Sequence, residues 1–301
     1  MQMNKGTYKI VFMSDILGVS PQGYYHYLNS LEKPYKYERL LAEITQIISE
    51  DECNDTYGSM RMWEALHHKQ FLEKGGFPEI PHERTVYRIM KKHGLIHAVK
   101  RKPNGITKAD KDAQKSDNLI ARDFTAEKPL TKAVTDITEL PTADGKLYIS
   151  GIFDCYDLMP IGLAMADNMQ AKLCERTLES VASRYGKAAI KGLIAHSDRG
   201  SQYTSELYRN AIKKYEIRQS MNSSAGKCHD NARCESIWGR MKEELIYGRY
   251  DTKKMRMETV KSLVWRYFMS YWANRRICSA IGGIPPAVKR KQYYESLNLA
   301  A

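Results

Sequence analysis

The sequence predicts a mixed α/β domain preceded by an all-helical region, and two patterns carry this prediction. In the first 98 residues, apolar side chains recur at helical spacing. After residue 122, three runs rich in β-branched residues follow one another, and helix and strand patterns then alternate. Three consecutive strands followed by such an alternation are typical of a sheet that has both antiparallel and parallel pairs.

The first predicted elements are two short helices. An apolar run from Val11 ends at Gly18, which suits the residue just after a helix because glycine readily adopts a positive φ. Ser20 then fits the N-cap of a second helix, and Pro21 fits its first position, where a missing N–H costs nothing. This is the helix-turn-helix pattern of DNA-binding proteins, although a purely structural two-helix corner has the same pattern.

Three more helices are predicted before residue 98. They cover residues 37–50, about 57–70 and 84–93. Four basic side chains lie on or beside the polar face of the third helix: Arg84, Arg88, Lys91 and Lys92. This helix can lie along the phosphates of a duplex, and a solvated surface helix is the alternative.

Basic charge is concentrated in two blocks. The chain of 301 residues has 47 Lys and Arg against 35 Asp and Glu, a net charge of +12. Residues 87–122 carry 10 basic and 3 acidic side chains, and residues 240–301 carry 13 and 5. Such blocks are the electrostatic footprint of a polyanionic partner, and a merely basic surface is the alternative.

Part of the first block predicts a flexible basic linker over residues 99–122, because apolar side chains almost vanish there. Its residues Lys100, Arg101 and Lys102 are predicted to contact DNA, as are Arg88, Lys91 and Lys92 of the helix before it.

Other features predict the cellular setting. No window offers the roughly 18 uncharged apolar residues of a membrane span, and the first residues lack the apolar segment of an export signal. The six cysteines are irregularly spaced and do not form a disulfide framework. We therefore expect a cytoplasmic protein with no membrane partner.

The second half of the chain predicts five strands and three helices. The strands cover residues 133–140, 148–154, 159–165, 192–196 and 217–220. The helices cover residues 170–185, 204–215 and a long stretch from about 230.

Three carboxylates stand where such a sheet presents ligands. Asp136 lies inside an apolar strand, where a charge is costly unless it is paired or binds metal. Asp198 follows a buried strand, the place where open α/β sheets usually bind ligands. Glu235 lies near the start of the long helix, with Trp238 and Lys242 three and seven residues later on the same face.

Together these carboxylates could hold two divalent cations, which prefer oxygen ligands. Two such ions stabilise both the attacking and the leaving oxygen of an in-line phosphoryl displacement. Taken singly, each residue has a plainer explanation, because a strand aspartate is usually paired and an aspartate beside glycine usually forms a turn.

Other chemistries fit the sequence less well. Cys228, His229 and Cys234 lack the second pair of ligands that a structural zinc needs, and no Walker loop for ATP is present. His196 could act as an acid or base, but packing or a hydrogen bond is the favoured role. An aromatic stripe at helical spacing is expected in the core rather than stacked on bases; it comprises Trp265, Tyr267, Phe268, Tyr271 and Trp272.

Three motifs carry a family resemblance. TDITEL, HSDRGSQYTS and DNARCES, with Lys242 after them, closely resemble the DDE transposases of the insertion-sequence-three family. The resemblance extends to DFTAEKP, SGIFDCYD and the YGSMR segment, so it covers nearly the whole chain. It implies a ribonuclease-H-like core, similar to that of retroviral integrases. It also implies that Asp136, Asp198 and Glu235 are the catalytic, metal-binding triad and that Lys242 helps to position DNA.

The resemblance further implies Mg²⁺-dependent strand cleavage and strand transfer at insertion-sequence ends. We expect two Mg²⁺ ions, with Mn²⁺ as a possible substitute. The implied partners are double-stranded DNA, as element end and as target, and the first-frame transposase product, or a frameshift fusion with it. A homo-oligomer on DNA is also expected. The alternatives are a ribonuclease-H-like nuclease without joining activity and a non-enzymatic helix-turn-helix regulator.

The expected organisation has four parts. Residues 1–98 form a helical DNA-binding region, 99–122 the basic linker, 123–245 the catalytic core, and 246–301 a basic helical extension of the core.

The sequence departs from the family pattern in three places. Between Asp198 and Glu235 lie 36 residues, one more than is usual. Ala133 stands where the family commonly has a tryptophan. Residues 274–278 replace the usual pattern of asparagine, arginine and histidine.

Overall fold

The computed structural model describes residues 1–4, 6–31, 35–73, 75–98, 116–223 and 231–299. None of the helices in these ranges is both long and apolar enough to span a bilayer.

The predicted pair of short helices is confirmed as α1 (Ile10–Leu17) and α2 (Pro21–Leu31). Gly18 ends α1 with a φ of 64°, the left-handed conformation that glycine adopts without strain. Ser20 accepts a hydrogen bond on its hydroxyl from the N–H of Gly23 at 3.0 Å, as an N-cap does. The turn between the two helices is therefore built as the sequence predicts.

Three further helices form a small bundle with its own core. They are α3 (Glu38–Glu50), α4 (Ser59–Glu73) and α5 (Glu83–Lys92). The buried side chains between them include Leu40, Ile44, Met62, Leu66, Val86 and Ile89.

Hydrogen bonds hold the bundle to the end of the chain. The hydroxyl of Tyr57 accepts from the N–H of Ile277 at 3.1 Å, and the hydroxyl of Tyr271 donates to Oδ1 of Asn54 at 3.0 Å. All four residues are buried, so the bundle packs directly on the C-terminal segment.

The second half of the chain contains one mixed sheet. Its strands are β1 (Lys132–Thr142), β2 (Gly145–Asp154), β3 (Pro160–Ala166), β4 (Ile194–Ser197) and β5 (Arg218–Met221). Their order is β3-β2-β1-β4-β5. The first three strands pair antiparallel, whereas β4 pairs parallel with β1 and β5 parallel with β4. The predicted mixed, ribonuclease-H-like sheet behind an all-helical region is confirmed.

Helices cover both faces of this sheet. They are α6 (Ala171–Tyr185), α7 (Lys187–Ile190), α8 (Ser201–Thr204), α9 (Glu206–Lys214), α10 (Ala232–Met241), α11 (Met257–Arg266) and α12 (Pro286–Leu299). The face that carries Ala133 packs against α6 and α9, and the face that carries Val134 packs against α10 and α11. This separation follows from the alternation of side chains along β1.

Most of the predicted aromatic stripe lies in the core. A π-helical segment, Tyr267–Trp272, continues α11 and buries Tyr267, Phe268, Tyr271 and Trp272. The prediction is wrong for Trp265, whose side chain is 51% exposed.

A buried ion-pair network centres on Glu244, which lies in a π-helical turn, Lys242–Ile246, that continues α10. The Glu244 carboxylate accepts hydrogen bonds from Arg276 at 2.6 and 2.8 Å, from Arg61 of α4 at 2.9 Å and from Tyr267 at 2.8 Å. Burial opposes ionisation of Glu244, yet these charges and hydrogen bonds lower its pKa to about 2. Arg276, in one of the segments that depart from the family pattern, thus pairs inside the fold.

Part of the segment predicted as a linker contacts the sheet. Ile120 is buried, and the N–H of Leu119 donates to the hydroxyl of Ser220 at 2.9 Å. Residues 99–115 of that segment lie outside the described residues.

Candidate active site

The parallel pairing of β1 with β4 places two of the predicted carboxylates side by side. Val134 of β1 is the register partner of His196 of β4. Asp136 lies two residues further along β1, and Asp198 lies two residues after His196, just past the end of β4. Because neighbouring strands lie about 4.8 Å apart, the backbones of the two aspartates lie side by side.

Hydrogen bonds fix the turn that carries Asp198. One carboxylate oxygen of Asp198 accepts from the N–H of Gly200 at 2.9 Å. The next side chain, Arg199, donates to the carbonyl oxygens of Asn222 at 2.6 Å and Ser223 at 2.5 Å. The Asp198 turn is therefore tied to the end of β5.

His196 has a structural role, as predicted. Its ring is buried, with Nδ1 at 2.8 Å from the hydroxyl of Ser220 and Nε2 at 3.0 Å from Oδ1 of Asn222. Both ring nitrogens are engaged between β4 and β5, so the ring supports the strand end before Asp198.

Helix α10 brings Glu235 to the same region. Asn231, at the N-cap position of α10, donates from Nδ2 to the carbonyl oxygen of Thr135 at 3.3 Å, next to Asp136 on β1. Glu235 lies one turn later with an exposed side chain. Trp238 is buried against the sheet, so Glu235 stands at the edge of the buried face of α10.

The electrostatics of Asp136 indicate crowded negative charge. Loss of hydration, followed by the charges of Asp198 and Glu235, raises the pKa of the Asp136 carboxyl well above its ordinary value. A hydrogen bond from the N–H of Ile137 and the charge of Lys242 oppose this increase. Both of the other predicted carboxylates therefore act electrostatically on Asp136.

Asp198 and Lys242 are also affected by their surroundings. Desolvation raises the pKa of the Asp198 carboxyl, against the hydrogen bond from Gly200 and the charge of His196. Desolvation lowers the pKa of the Lys242 ammonium, against the charges of Glu139 and Asp136. Lys242 lies at the end of α10, where it is half-buried and within electrostatic range of the site.

The chemistry of the donor set fits a hard divalent cation. Carboxylate oxygens are the ligands that Mg²⁺ prefers, and the surplus negative charge around Asp136 would be offset by a cation. Within the ranges that the structure describes, no group of three or more His, Cys, Asp or Glu side chains is arranged closely enough to hold a metal ion as it stands.

Sequence reasoning missed two residues that support the site. Asn231 was visible only as part of a motif, although a polar residue just before a helix is a recognisable N-cap signal. Tyr203 lies buried beneath β1, with its hydroxyl 3.4 Å from the Thr135 hydroxyl, and only its place in the second motif hinted at a role.

The predicted DNA-contacting residues lie away from this cluster in the sequence, on α5. Arg88, Lys91 and Lys92 are all exposed there. The ammonium of Lys92 lies 4.2 Å from the centre of the Tyr35 ring. Lys100, Arg101 and Lys102 lie outside the described residues.

Comparison with known proteins identifies similar sequences over most of the chain. Residues 126–228 match the integrase core domain family. The chain is 30% identical to an uncharacterized 31 kDa protein of insertion element IS600 from Shigella sonnei, covering 94% of this chain and 99% of that protein. It is also 30% identical to the transposase InsF of insertion sequence IS3A from Escherichia coli, covering 81% of this chain and 78% of the transposase.

A solved structure, the simian T-cell lymphotropic virus intasome in complex with a PP2A regulatory subunit, includes a chain similar to this one. The identity is 12% and the TM-score 0.45, with 75% of this chain and 74% of that chain covered.

The crowding at Asp136 predicts a stability effect. Because the raised pKa means that the folded state disfavours the charged form, the stability contributed by the protonated Asp136 carboxyl should be lost as pH rises through that pKa. In metal-free buffer at pH 8, Asp136→Asn should raise the free energy of unfolding by more than the ~0.5 kcal/mol typical of surface changes. Urea unfolding measures this free energy, and the difference between Asp136→Asn and the wild-type protein should become smaller as pH falls toward 4.

The exposed carboxylate of Asp251 provides the control. Asp251→Asn should leave the unfolding curve nearly unchanged at both pH values. Equal effects of the two substitutions, or destabilisation by Asp136→Asn at pH 8, would contradict the crowding of charge at Asp136.

Proposed function

This chain belongs to the insertion-sequence-three family of DDE transposases, and we propose that it cleaves DNA at the ends of its element and joins them to a target in an Mg²⁺-dependent reaction. A DDE transposase is a polynucleotidyl transferase that acts in DNA transposition.

The observation that carries the proposal is the placement of Asp136 and Asp198 on neighbouring strands, with Glu235 acting on Asp136 from α10. Asp136 lies within β1, Asp198 lies just past the end of β4, and the charge of Glu235 contributes to the raised pKa of Asp136. We assign these three residues as ligands of Mg²⁺, with two ions expected and Mn²⁺ as a substitute. When bound, the ions would stabilise the attacking and leaving oxygens of a phosphoryl displacement.

Cleavage hydrolyses a phosphodiester to a 5′-phosphate and a 3′-hydroxyl, and joining exchanges one phosphodiester for another. In cleavage, a water oxygen attacks the phosphodiester at the element end, and the 3′-oxygen leaves as a free 3′-hydroxyl. In joining, this hydroxyl attacks a target phosphodiester, and the 3′-oxygen of the target strand leaves. No covalent bond between protein and DNA is needed, because the attacking oxygen belongs to water or to a DNA 3′-hydroxyl, which loses its proton, and the leaving oxygen is a DNA 3′-oxygen, which gains one.

Electrostatics support a DNA-positioning role for Lys242. The charges of Glu139 and Asp136 act on its ammonium, which cannot itself ligate Mg²⁺. We assign its ammonium to a phosphate of the DNA strand end, so that the scissile bond is held in line with the attacking oxygen. His196 takes no part in proton transfer because its nitrogens are engaged by Ser220 and Asn222.

The DNA duplex is assigned a second contact on α5. Arg88, Lys91 and Lys92 are exposed on this helix, which precedes the basic segment with Lys100, Arg101 and Lys102 in the sequence. Neutralising phosphates there would release counterions and give much of the binding free energy.

We further propose that the chain works in an assembly. Transposition joins two element ends to one target, which favours a homo-oligomer on DNA. The first-frame product of the element, as a separate chain or as a frameshift fusion, is the proposed protein partner.

The first prediction tests the triad. Asp136→Asn, Asp198→Asn and Glu235→Gln should each reduce cleavage and joining by at least about 100-fold, because each removes charge that stabilises the transition state. The DNA beside the gene is first sequenced for paired terminal repeats, and the assay then uses labelled duplexes that carry them, with Mg²⁺ and a target plasmid. Duplex binding, measured in parallel, should be nearly unchanged.

Two outcomes would contradict this assignment. A single variant with near wild-type joining would remove that residue from the triad. Cleavage without any joined product in the wild-type protein would indicate a nuclease rather than a transposase.

The second prediction concerns Lys242. Lys242→Arg should keep most of the joining activity, Lys242→Ala should lose about 10-fold or more, and Lys242→Glu should lose the most, since a carboxylate repels phosphate. Metal affinity without DNA should stay level or rise in Lys242→Ala. Arg240→Ala, which removes a cation from the same helix, is the matched control and should join normally. Unchanged joining in Lys242→Ala would make Lys242 a structural residue.

The third prediction concerns α5. Replacing Arg88, Lys91 and Lys92 together by Gln should weaken duplex binding and flatten its salt dependence. The slope of log K against log salt changes by about 0.9 for each phosphate that the variant no longer neutralises. Binding should be measured by fluorescence anisotropy across a salt series.

A triple variant of exposed lysines on the catalytic core is the control for α5. Its members are Lys187, Lys191 and Lys213. Equal flattening of the slope in both triple variants would mean that α5 is no specific contact surface.

A further inference from the structure

A glycine on the strand beside Asp136 makes room for the helix that carries Glu235. Gly151 of β2 is the register partner of Asp136. A Cβ added at Gly151 would lie 2.9 Å from Cη2 of Trp238 and 2.8 Å from Cε2 of Phe153. Since real Cβ atoms essentially never approach so closely, the indole ring rests where a side chain at residue 151 would otherwise stand.

Trp238 is the residue through which α10 rests on the sheet near Asp136. It lies three residues after Glu235, just under one helical turn. Its ring is 4% exposed and packs edge-on against Phe153 and Phe268, with ring centres 5.3 and 5.4 Å away. The depth to which the ring enters therefore sets the height of α10, and with it the distance from Glu235 to β1.

Packing alone determines where this ring lies. The indole N–H is buried and donates to no partner among the described residues. A hydrogen bond to the indole would help to keep the ring in place when an atom is added beneath it. A ring positioned only by van der Waals contacts is displaced by such an atom. The missing side chain at Gly151 is thus directly coupled to the position of α10.

A second contact fixes α10 on the other side of Glu235. Asn231 is 2% exposed, and its Nδ2 donates to the carbonyl oxygen of Thr135, adjacent to Asp136. It caps no N–H of α10 with its side chain, although capping is the usual role of asparagine there. Its hydrogen bond to Thr135 instead joins the helix to the strand.

We propose that Gly151, Trp238 and Asn231 are positioning residues that set the separation of Glu235 from Asp136. This proposal rests on the assignment of these two carboxylates to a common Mg²⁺ site. Asn231 holds α10 four residues before Glu235, and Trp238 over Gly151 holds it three residues after. Neither contact touches the reacting atoms.

Gly162 offers a matched control for Gly151. It lies on β3 opposite Ile152, and an added Cβ would lie 2.6 Å from Cγ2 of Val181 and 2.8 Å from the carbonyl oxygen of Thr177. The crowding there is at least as severe, but it presses on α6 rather than α10. Gly162→Ala thus strains the same sheet without moving Glu235.

The experiment compares Gly151→Ala, the double variant Gly151→Ala with Trp238→Phe, and Gly162→Ala. Mg²⁺ binding to the DNA-free protein is measured by calorimetry, joining by strand transfer, and folding by thermal unfolding. Gly151→Ala should weaken Mg²⁺ binding and reduce joining by up to about 100-fold, the cost of an ångström-scale misplacement. The smaller phenyl ring in the double variant should restore part of the Mg²⁺ affinity and part of the joining activity. Gly162→Ala should unfold at a lower temperature than the wild-type protein but bind Mg²⁺ with the same affinity.

Three results would overturn the proposal. They are normal Mg²⁺ affinity in Gly151→Ala, a double variant no better than Gly151→Ala, and an equal loss of affinity in Gly162→Ala.

Asn231→Ala tests how α10 is positioned on the sheet without adding atoms. This variant provides the test of the proposal if Gly151→Ala does not fold. It should weaken Mg²⁺ binding while unfolding near the wild-type temperature, and normal affinity would overturn the proposal. Failure of the wild-type protein to bind Mg²⁺ or to join DNA would instead contradict the proposed function itself.

Discussion

The parallel pairing of β1 with β4 is the contact on which the site depends. It brings two aspartates that are far apart in the sequence onto neighbouring strands, Asp136 within β1 and Asp198 just past the end of β4. The fold reinforces this pairing on both sides of Asp198, through His196 between β4 and β5 and through Arg199 on the end of β5. The raised pKa of Asp136 reflects first the loss of hydration on burial and then the negative charges of Asp198 and Glu235.

Elsewhere in the molecule, buried acids are neutralised by arginine. Glu244 lies between Arg276 and Arg61, and Asp154 and Asp157 both accept hydrogen bonds from Arg290 of α12. Leaving any of these carboxylates without a partner would be strongly destabilising. Burial and the charge of Asp157 still raise the pKa of Asp154 to about 6, whereas two further carboxylates, Asp198 and Glu235, act on Asp136. The proposed divalent cation would offset this surplus negative charge at Asp136.

Much of the fold could be predicted from local sequence. Glycine and capping signals located the turn at Gly18 and Ser20, and β-branched runs located β1 within about two residues at each end. The contacts that join distant parts could not be predicted, because they depend on tertiary packing. Residue spacing in the sequence does not reveal the ion pair of Arg290 with Asp154 or the hydrogen bond between Tyr57 and Ile277. Trp265 was misplaced because periodicity does not show how far the buried face of a helix extends.

The residues of the candidate site could be named from the sequence, but their geometry could not. Motifs singled out Asp136, Asp198 and Glu235, whereas the adjacency of the two aspartates needed the register of β1 with β4. The proposed role of Gly151 could not be predicted from the sequence, since a glycine in a strand gives no sign of which ring will lie over it.

Anomalous diffraction from crystals of the wild-type protein in Mn²⁺ would test most directly whether these carboxylates form a cation site. We expect a peak about 2.0–2.6 Å from carboxylate oxygens of both Asp136 and Asp198. The peak should disappear in Asp198→Asn crystals that keep the same strand pairing. Wild-type crystals that retain that pairing but show no peak between Asp136 and Asp198, at Mn²⁺ concentrations that support joining, would contradict the assignment of the site.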